Sequence, residues 1–189
     1  MAEKAGEDDM AQRLRWMREN VLGLYHAKHE HNPSPPKDQS GHCTNSGTCI
    51  IVCCYINGLG KVLWKGQEPK LIKGKPRPRT DFLRFQKFLH DCMNDFMTQS
   101  NARSDLPKRG DELLYKVYRC GFVHGYPKAG YKWGRSGPPG EYWFIDGGKV
   151  TLSIDQLVAG FLDGIKKFKE LANKDTDLRT KFRDYIEAK

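Results

Sequence analysis

No uninterrupted apolar run in this sequence comes near the roughly 18–20 residues that a membrane helix needs; the longest, Cys49 to Ile56, is under half that. No membrane association is therefore expected. Glu7, Asp8 and Asp9 stand near the start in place of the basic flank and apolar core of a secretory signal, so the expected location is the cytoplasm. Cys-x-x-Cys is missing. His26, His29 and His31 cluster, and His42, Cys43, Cys49, Cys53 and Cys54 follow, without the paired spacing that structural zinc prefers. No metal is expected, and the thiols should be reduced, with Cys49 and Cys53 buried on a shared helix face. There is also no Gly-x-x-x-x-Gly-Lys-Ser/Thr loop and no strand-turn-helix setting for a dinucleotide, which excludes phosphate-driven motor chemistry and leaves no implied cofactor.

Acidic residues are the scarcer charge: 23 Asp and Glu face 32 Lys and Arg, a formal charge of +9 with a pI near 9.2. Such a balance favours polyanionic partners, which release counterions when basic groups neutralise their phosphates. Lys61, Lys65, Lys70, Lys73, Lys75, Arg77 and Arg79 are opposed in their segment only by Glu68. This segment reads either as a solvated linker or as part of an anionic-ligand surface. With 189 residues and 38% hydrophobic side chains, the chain has enough for one packed core. One domain over residues 1–189 is expected, with a basic proline-containing linker at 65–79 and an aromatic, Gly/Pro-rich insertion at 126–153.

Periodicity predicts a mainly α fold, an up-and-down bundle of four to six helices with one short β-hairpin near residues 142–153. Met10, Leu14, Met17, Val21, Leu24 and Tyr25 recur at three- and four-residue steps, giving a helix over Met10–Lys28. Pro33, Pro35 and Pro36 make His31–Gly41 a loop. Thr48–Trp64 reads as a central helix, and Gly58 and Gly60 within it suggest close packing by another element. Thr80 and Asp81 can cap one helix running to about Gln99, and Asp111 another ending around Gly125–Pro127. Gly147-Gly148 suits a two-residue turn between Tyr142–Asp146 and Lys149–Ser153. Ser153 can cap a fifth helix, and Leu178, Phe182, Tyr185 and Ile186 mark a last short one.

The segment from Leu113 to Tyr126 contains Arg119, four intervening residues and His124 near a predicted helix end. Upstream, Tyr55, Ile56, Leu59 and Gly60 follow a Tyr-Ile-x-x-Leu-Gly pattern at the end of the central helix. Both features resemble the HEPN domains, an all-helical superfamily. The likeness spans about residues 10–170 in helix order, and only these short stretches in sequence detail. It implies a metal-independent endoribonuclease in which His124 and Arg119 are catalytic, two protomers pairing so that both contribute to a joint cleft. It also implies a toxin-antitoxin or antiviral defence setting, with an antitoxin or defence-system protein as partner. Active members commonly carry Asn, Asp or His after the arginine, whereas this chain has Cys120. A non-catalytic module that binds RNA, a nucleotide or a protein is the alternative.

Chemistry makes the pair sensible. When a ribose 2′-hydroxyl attacks the adjacent phosphate, one proton must leave, another must reach the departing oxygen, and negative charge must be stabilised. Histidine titrates near neutrality and serves as acid or base. Arginine stays charged and presents a planar donor fork to phosphate oxygens. On an ideal α-helix, however, residues five apart are rotated by about 140°, so local geometry or a second protomer must bring them together. The aromatics Tyr118, Tyr126, Tyr131, Trp133, Tyr142 and Trp143 alternate with Lys128, Lys132 and Arg135, a pattern suited to unpaired bases. Trp143 and Phe144 are instead expected to pack the hairpin on the bundle. Tyr126, Lys128, Lys132, Arg135, Lys73, Lys75, Arg77 and Arg79 are the candidate nucleic-acid contacts.

Overall fold

The structure, a computed structural model, describes residues 2–26, 42–64, 80–120, 130–135 and 137–188. Among these the chain is mainly helical, with one small sheet. Helix α1 (Ala2–His26) buries Met10, Leu14, Met17 and Val21 of the expected stripe, whereas Leu24, expected on the same face, is exposed and Tyr25 is only partly buried. Helix α2 (His42–Leu63) begins earlier than expected from periodicity and runs through the centre of the bundle, with Cys49, Val52, Cys53, Ile56 and Leu59 fully buried. Its Ser46–Leu63 window has a mean hydropathy of 1.4 and is apolar and long enough to cross a membrane by composition; α1 and three later helices, α3 (Thr80–Cys92), α6 (Ile154–Lys174) and α7 (Thr176–Glu187), pack around it.

The two glycines of α2 do serve close packing. A Cβ on Gly60 would lie 2.0 Å from the carbonyl oxygen of Arg84, so only glycine lets α2 and α3 cross this closely. A Cβ on Gly58 would lie 2.6 Å from the hydroxyl of Tyr185.

The single helix expected from Thr80 to Gln99 is two helices, α3 (Thr80–Cys92) and α4 (Asn94–Ala102). Thr80 is the first helical residue of α3. The break falls at Met93, whose backbone (φ −123°, ψ 49°) leaves the helical region although neither proline nor glycine marks the spot. Met93 itself stays buried, close to Gly164 of α6, and beyond the bend Phe96, Met97 and Ser100 point inward. Tertiary packing has overridden a continuous apolar stripe.

Asp111 does not cap the next helix. Helix α5 (Gly110–Leu113) starts one residue earlier, with Arg109 at its N-cap, and continues as a π-helical stretch (Leu114–Arg119). Asp111 lies in the first turn and is 1% exposed. Its carboxylate accepts Gln86 Nε2 (2.5 Å), Arg109 Nη2 (2.7 Å), Arg109 Nε (3.1 Å) and the Glu112 amide (2.9 Å). That set of donors is what a buried carboxylate requires. The expected helix end around Gly125–Pro127 and the loop at His31–Gly41 lie outside the described residues.

The expected hairpin is present, and a third strand joins it. Strand β1 (Tyr131–Gly134) pairs parallel with β3 (Lys149–Ser153), and β3 pairs antiparallel with β2 (Trp143–Asp146), giving the order β1-β3-β2. Gly147 and Gly148 form the turn with positive φ at both positions (56° and 72°). Trp143, opposite Leu152, is 1% exposed and packs the sheet on the bundle. Ser153 Oγ accepts the Gln156 amide at the start of α6 (Ile154–Lys174), and Asp175 Oδ1 accepts the Leu178 amide at the start of α7 (Thr176–Glu187).

Candidate functional site around Arg119

Arg119 is the member of the expected catalytic pair that the structure describes; His124 lies outside the described residues. The helix carrying it is widened. The Cys120 amide donates to the carbonyl of Tyr115, five residues back, in place of the usual four. Such π-turns are rare and gather at functional positions. They also change the phase of the helix: residues joined by an i to i+5 bond stand nearly above one another, whereas an α-helix would splay them by about 140°.

The guanidinium of Arg119 is held from below by Tyr115. Its carbon lies 5.0 Å from the ring centroid, and Nη1 donates to the Tyr115 hydroxyl at 3.3 Å. Tyr115 is in turn 3% exposed and packed against Phe82 (5.0 Å between centroids) and Phe85 (5.3 Å) of α3. On the other side, Nη1 stands 3.8 Å from Cys120 Sγ. Arg119 is half-buried and makes no ion pair among the described residues. Burial pulls its pKa down, and Cys120, Tyr115 and the more distant Asp81 more than offset this, so the net shift is upward and the charge is permanent. Tyr115 is the partner that sequence reasoning missed; its i, i+4 spacing from Arg119 was the available signal.

Behind Arg119, the thiols of Cys49 and Cys53 are both buried on one face of α2, as expected. The hydrogen bond to Cys49 and then burial push the Cys53 thiol well up, with Arg119 opposing, so the Cys53 thiol stays protonated. Cys54 departs from the expectation of inert, buried sulfur: it is exposed. Among the described residues, no group of three or more His, Cys, Asp or Glu side chains is placed to hold a metal ion.

The aromatic and basic residues expected around the pair divide sharply. Tyr118 (0% exposed), Tyr142 (5%) and Trp143 (1%) are core residues and offer no ring to a base. The Tyr118 hydroxyl donates to the carbonyl of Lys132 at 2.7 Å, and burial raises its pKa far above the ordinary value. Lys132 reaches across the sheet to Asp146, Nζ to Oδ2 2.5 Å, so its charge is matched locally. Arg135 lies over the ring of Tyr25 (4.4 Å to the centroid) and donates to the Tyr25 carbonyl, tying the end of β1 to α1. Tyr25 in turn donates its hydroxyl to Asp155 Oδ1 at 2.8 Å. Tyr126, Lys128, Lys73, Lys75, Arg77 and Arg79 lie outside the described residues. Compared with protein-family models, with curated proteins and with solved structures, the chain matches nothing.

Proposed function

We propose that this chain is a HEPN-like, metal-independent endoribonuclease of the cytoplasm, acting as a homodimer. His124 handles the proton and Arg119 stabilises charge on the attacked phosphate. The observation that carries the reading is the π-turn ending at Arg119, with a half-buried guanidinium seated on Tyr115 and no carboxylate neutralising it among the described residues. A π-turn is a local distortion of the kind an Arg-x4-His pair needs, since an ideal α-helix sets residues five apart about 140° from each other. The net charge of +9 suits a phosphodiester substrate.

In this chemistry the ribose 2′-oxygen attacks phosphorus as its proton passes to a base. The 5′-oxygen departs as it gains a proton, leaving a 2′,3′-cyclic phosphate. Labelled RNA incubated with the protein in chelator should yield that terminus, and His124→Ala or Arg119→Ala should each lower the rate by about 100-fold or more. Cleavage that survives both substitutions overturns the proposal.

One observation favours a second reading. Cys120 occupies the position where active relatives carry a polar acid, amide or imidazole, and its sulfur sits on the guanidinium rather than a group able to hold a phosphate or a proton. A module that retains RNA without cutting it would show binding that falls steeply with salt and no cyclic-phosphate product. A toxin or antiviral role with a restraining partner protein belongs to the first reading.

A further inference from the structure

Trp16 is 54% exposed, the most exposed large apolar side chain among the described residues. It meets the ring of Tyr55 edge-on, centroids 6.3 Å apart at 65°. Tyr55 is fixed in place: it stacks on Phe161 (6.1 Å, 11°), and its hydroxyl accepts Asn20 Nδ2 at 3.1 Å. Tyr185 of α7 closes the far side, approaching α2 over the space that Gly58 leaves open. With Arg13 and Leu59, the rings of Trp16, Tyr55 and Tyr185 line a cavity of about 240 Å³ between α1, α2 and α7.

One cation lines it and another stands beside one of its rings. Arg13 lines the cavity, held only loosely by Asp9 at 3.6 Å with both side chains about half exposed. Lys61 is exposed and places Nζ 5.7 Å from the centre of the Tyr185 ring. Besides Asp9, α1 carries Glu19 one turn beyond Trp16. An exposed indole, a rigid pair of phenol rings and flanking cations are the parts that hold an unpaired base and its phosphate, because every base presents a π-face. A protein partner is a poorer fit. The other exposed large apolar residues, Leu24 and Ile145, do not line this cavity, whereas stable protein interfaces bury about 800 Å² per partner around a central apolar patch.

We propose that this groove binds one unpaired nucleobase of a single-stranded RNA, stacked on Trp16, with the adjoining phosphate at Arg13 and Lys61. The inference rests on the RNA substrate proposed above. Tyr55 lies about 200° around α2 from Cys53, the residue within reach of the Arg119 field. The groove is thus on the far side of α2 from the candidate catalytic arginine. It grips the strand away from the reacting phosphate and contributes to affinity, leaving the chemical step unchanged.

Anisotropy of a fluorescent single-stranded RNA 10-mer, measured in an Arg119→Ala background to prevent cutting, tests this. Trp16→Ala should weaken binding by roughly 5- to 150-fold, the worth of about 1–3 kcal/mol of stacking. Trp16→Phe should restore most of it, and Lys61→Ala should reduce the salt slope by about 0.7. In the cleaving protein, Trp16→Ala should raise KM and leave kcat unchanged. Unaltered affinity in Trp16→Ala overturns the inference, as does a wild-type chain that does not bind the 10-mer. A mononucleotide that competes as well as the 10-mer also overturns it, since the ligand would then be free nucleotide. So does a homodimer that Trp16→Ala dissolves with RNA affinity intact. Trp16-dependent binding without cleavage removes the nuclease reading and keeps this site; cleavage with Trp16-independent affinity does the reverse.

Discussion

The indole nitrogen of Trp143 donates to Ser100 Oγ at 2.9 Å inside the core, joining the sheet to α4. Gly110 makes room for the pair: a Cβ there would lie 2.3 Å from Ser100 Oγ and 2.8 Å from Trp143 Nε1. Gly110→Ala should therefore destabilise the fold by about 1–3 kcal/mol through overpacking. Ser100→Ala should cost about 1–3 kcal/mol by leaving a buried donor unpaired. Urea midpoints measure both. Because the two changes strike one contact, the double variant should fall short of the sum of the singles.

Two acidic residues with arginine partners should behave unequally. Asp111 is 1% exposed and takes two bonds from Arg109, whereas Asp105 pairs with Arg103 with a side chain 46% exposed. Arg109→Ala strands a buried carboxylate on Gln86 and the Glu112 amide and should cost about 1–3 kcal/mol. Asp105→Ala should fall within the small effects of exposed pairs. Chemical denaturation of both variants beside wild type separates them, and equal losses would contradict the account.

Alkaline pH should loosen the protein. Burial, then Asp95 and Asp163, push the Tyr142 hydroxyl from the ordinary 10 up to about 12, and burial likewise pushes the Cys92 thiol up to about 12. Raised folded-state values mean that this stability is fully present below the unfolded pKa and is lost as pH rises through the folded one. The urea midpoint should hold to about pH 9 and fall between pH 9 and 12. Tyr142→Phe should flatten the part of that fall above pH 10.

The helices were legible because their apolar positions recur at helical spacing: Met10 to Val21 in α1 and Ile154 to Phe168 in α6 are buried as their periods require. The Gly147-Gly148 turn was legible because the dipeptide permits positive φ. The break at Met93 was not, since packing on α6 rather than a breaker residue causes it. Strand β1 was hidden because its pairing with β3 is parallel and distant in sequence. At the candidate site, the family resemblance singled out Arg119, but the π-turn beneath it was not legible, as no composition marks one. The aromatic-basic alternation misled for a plain reason. Rings at Tyr118, Tyr142 and Trp143 pack the core, while Trp16, out of phase with the α1 stripe, is the exposed large apolar ring among the described residues.

Tyr115 is argued to act through Arg119, and a single hydroxyl tests it. Tyr115→Phe keeps the ring under the guanidinium and the packing on Phe82 and Phe85, and removes the 3.3 Å contact to Nη1. A hydrogen bond from a charged donor is worth about 1.5–3 kcal/mol, so kcat for the proposed RNA cleavage should drop by roughly 10- to 150-fold. KM and the pH profile should stay put, because His124, the proposed proton carrier, is untouched. In an Arg119→Lys background, which lacks the planar fork, Tyr115→Phe should add no further loss. A purely structural role predicts the opposite: a lower melting temperature, an unchanged kcat for the folded enzyme and additivity with Arg119→Lys.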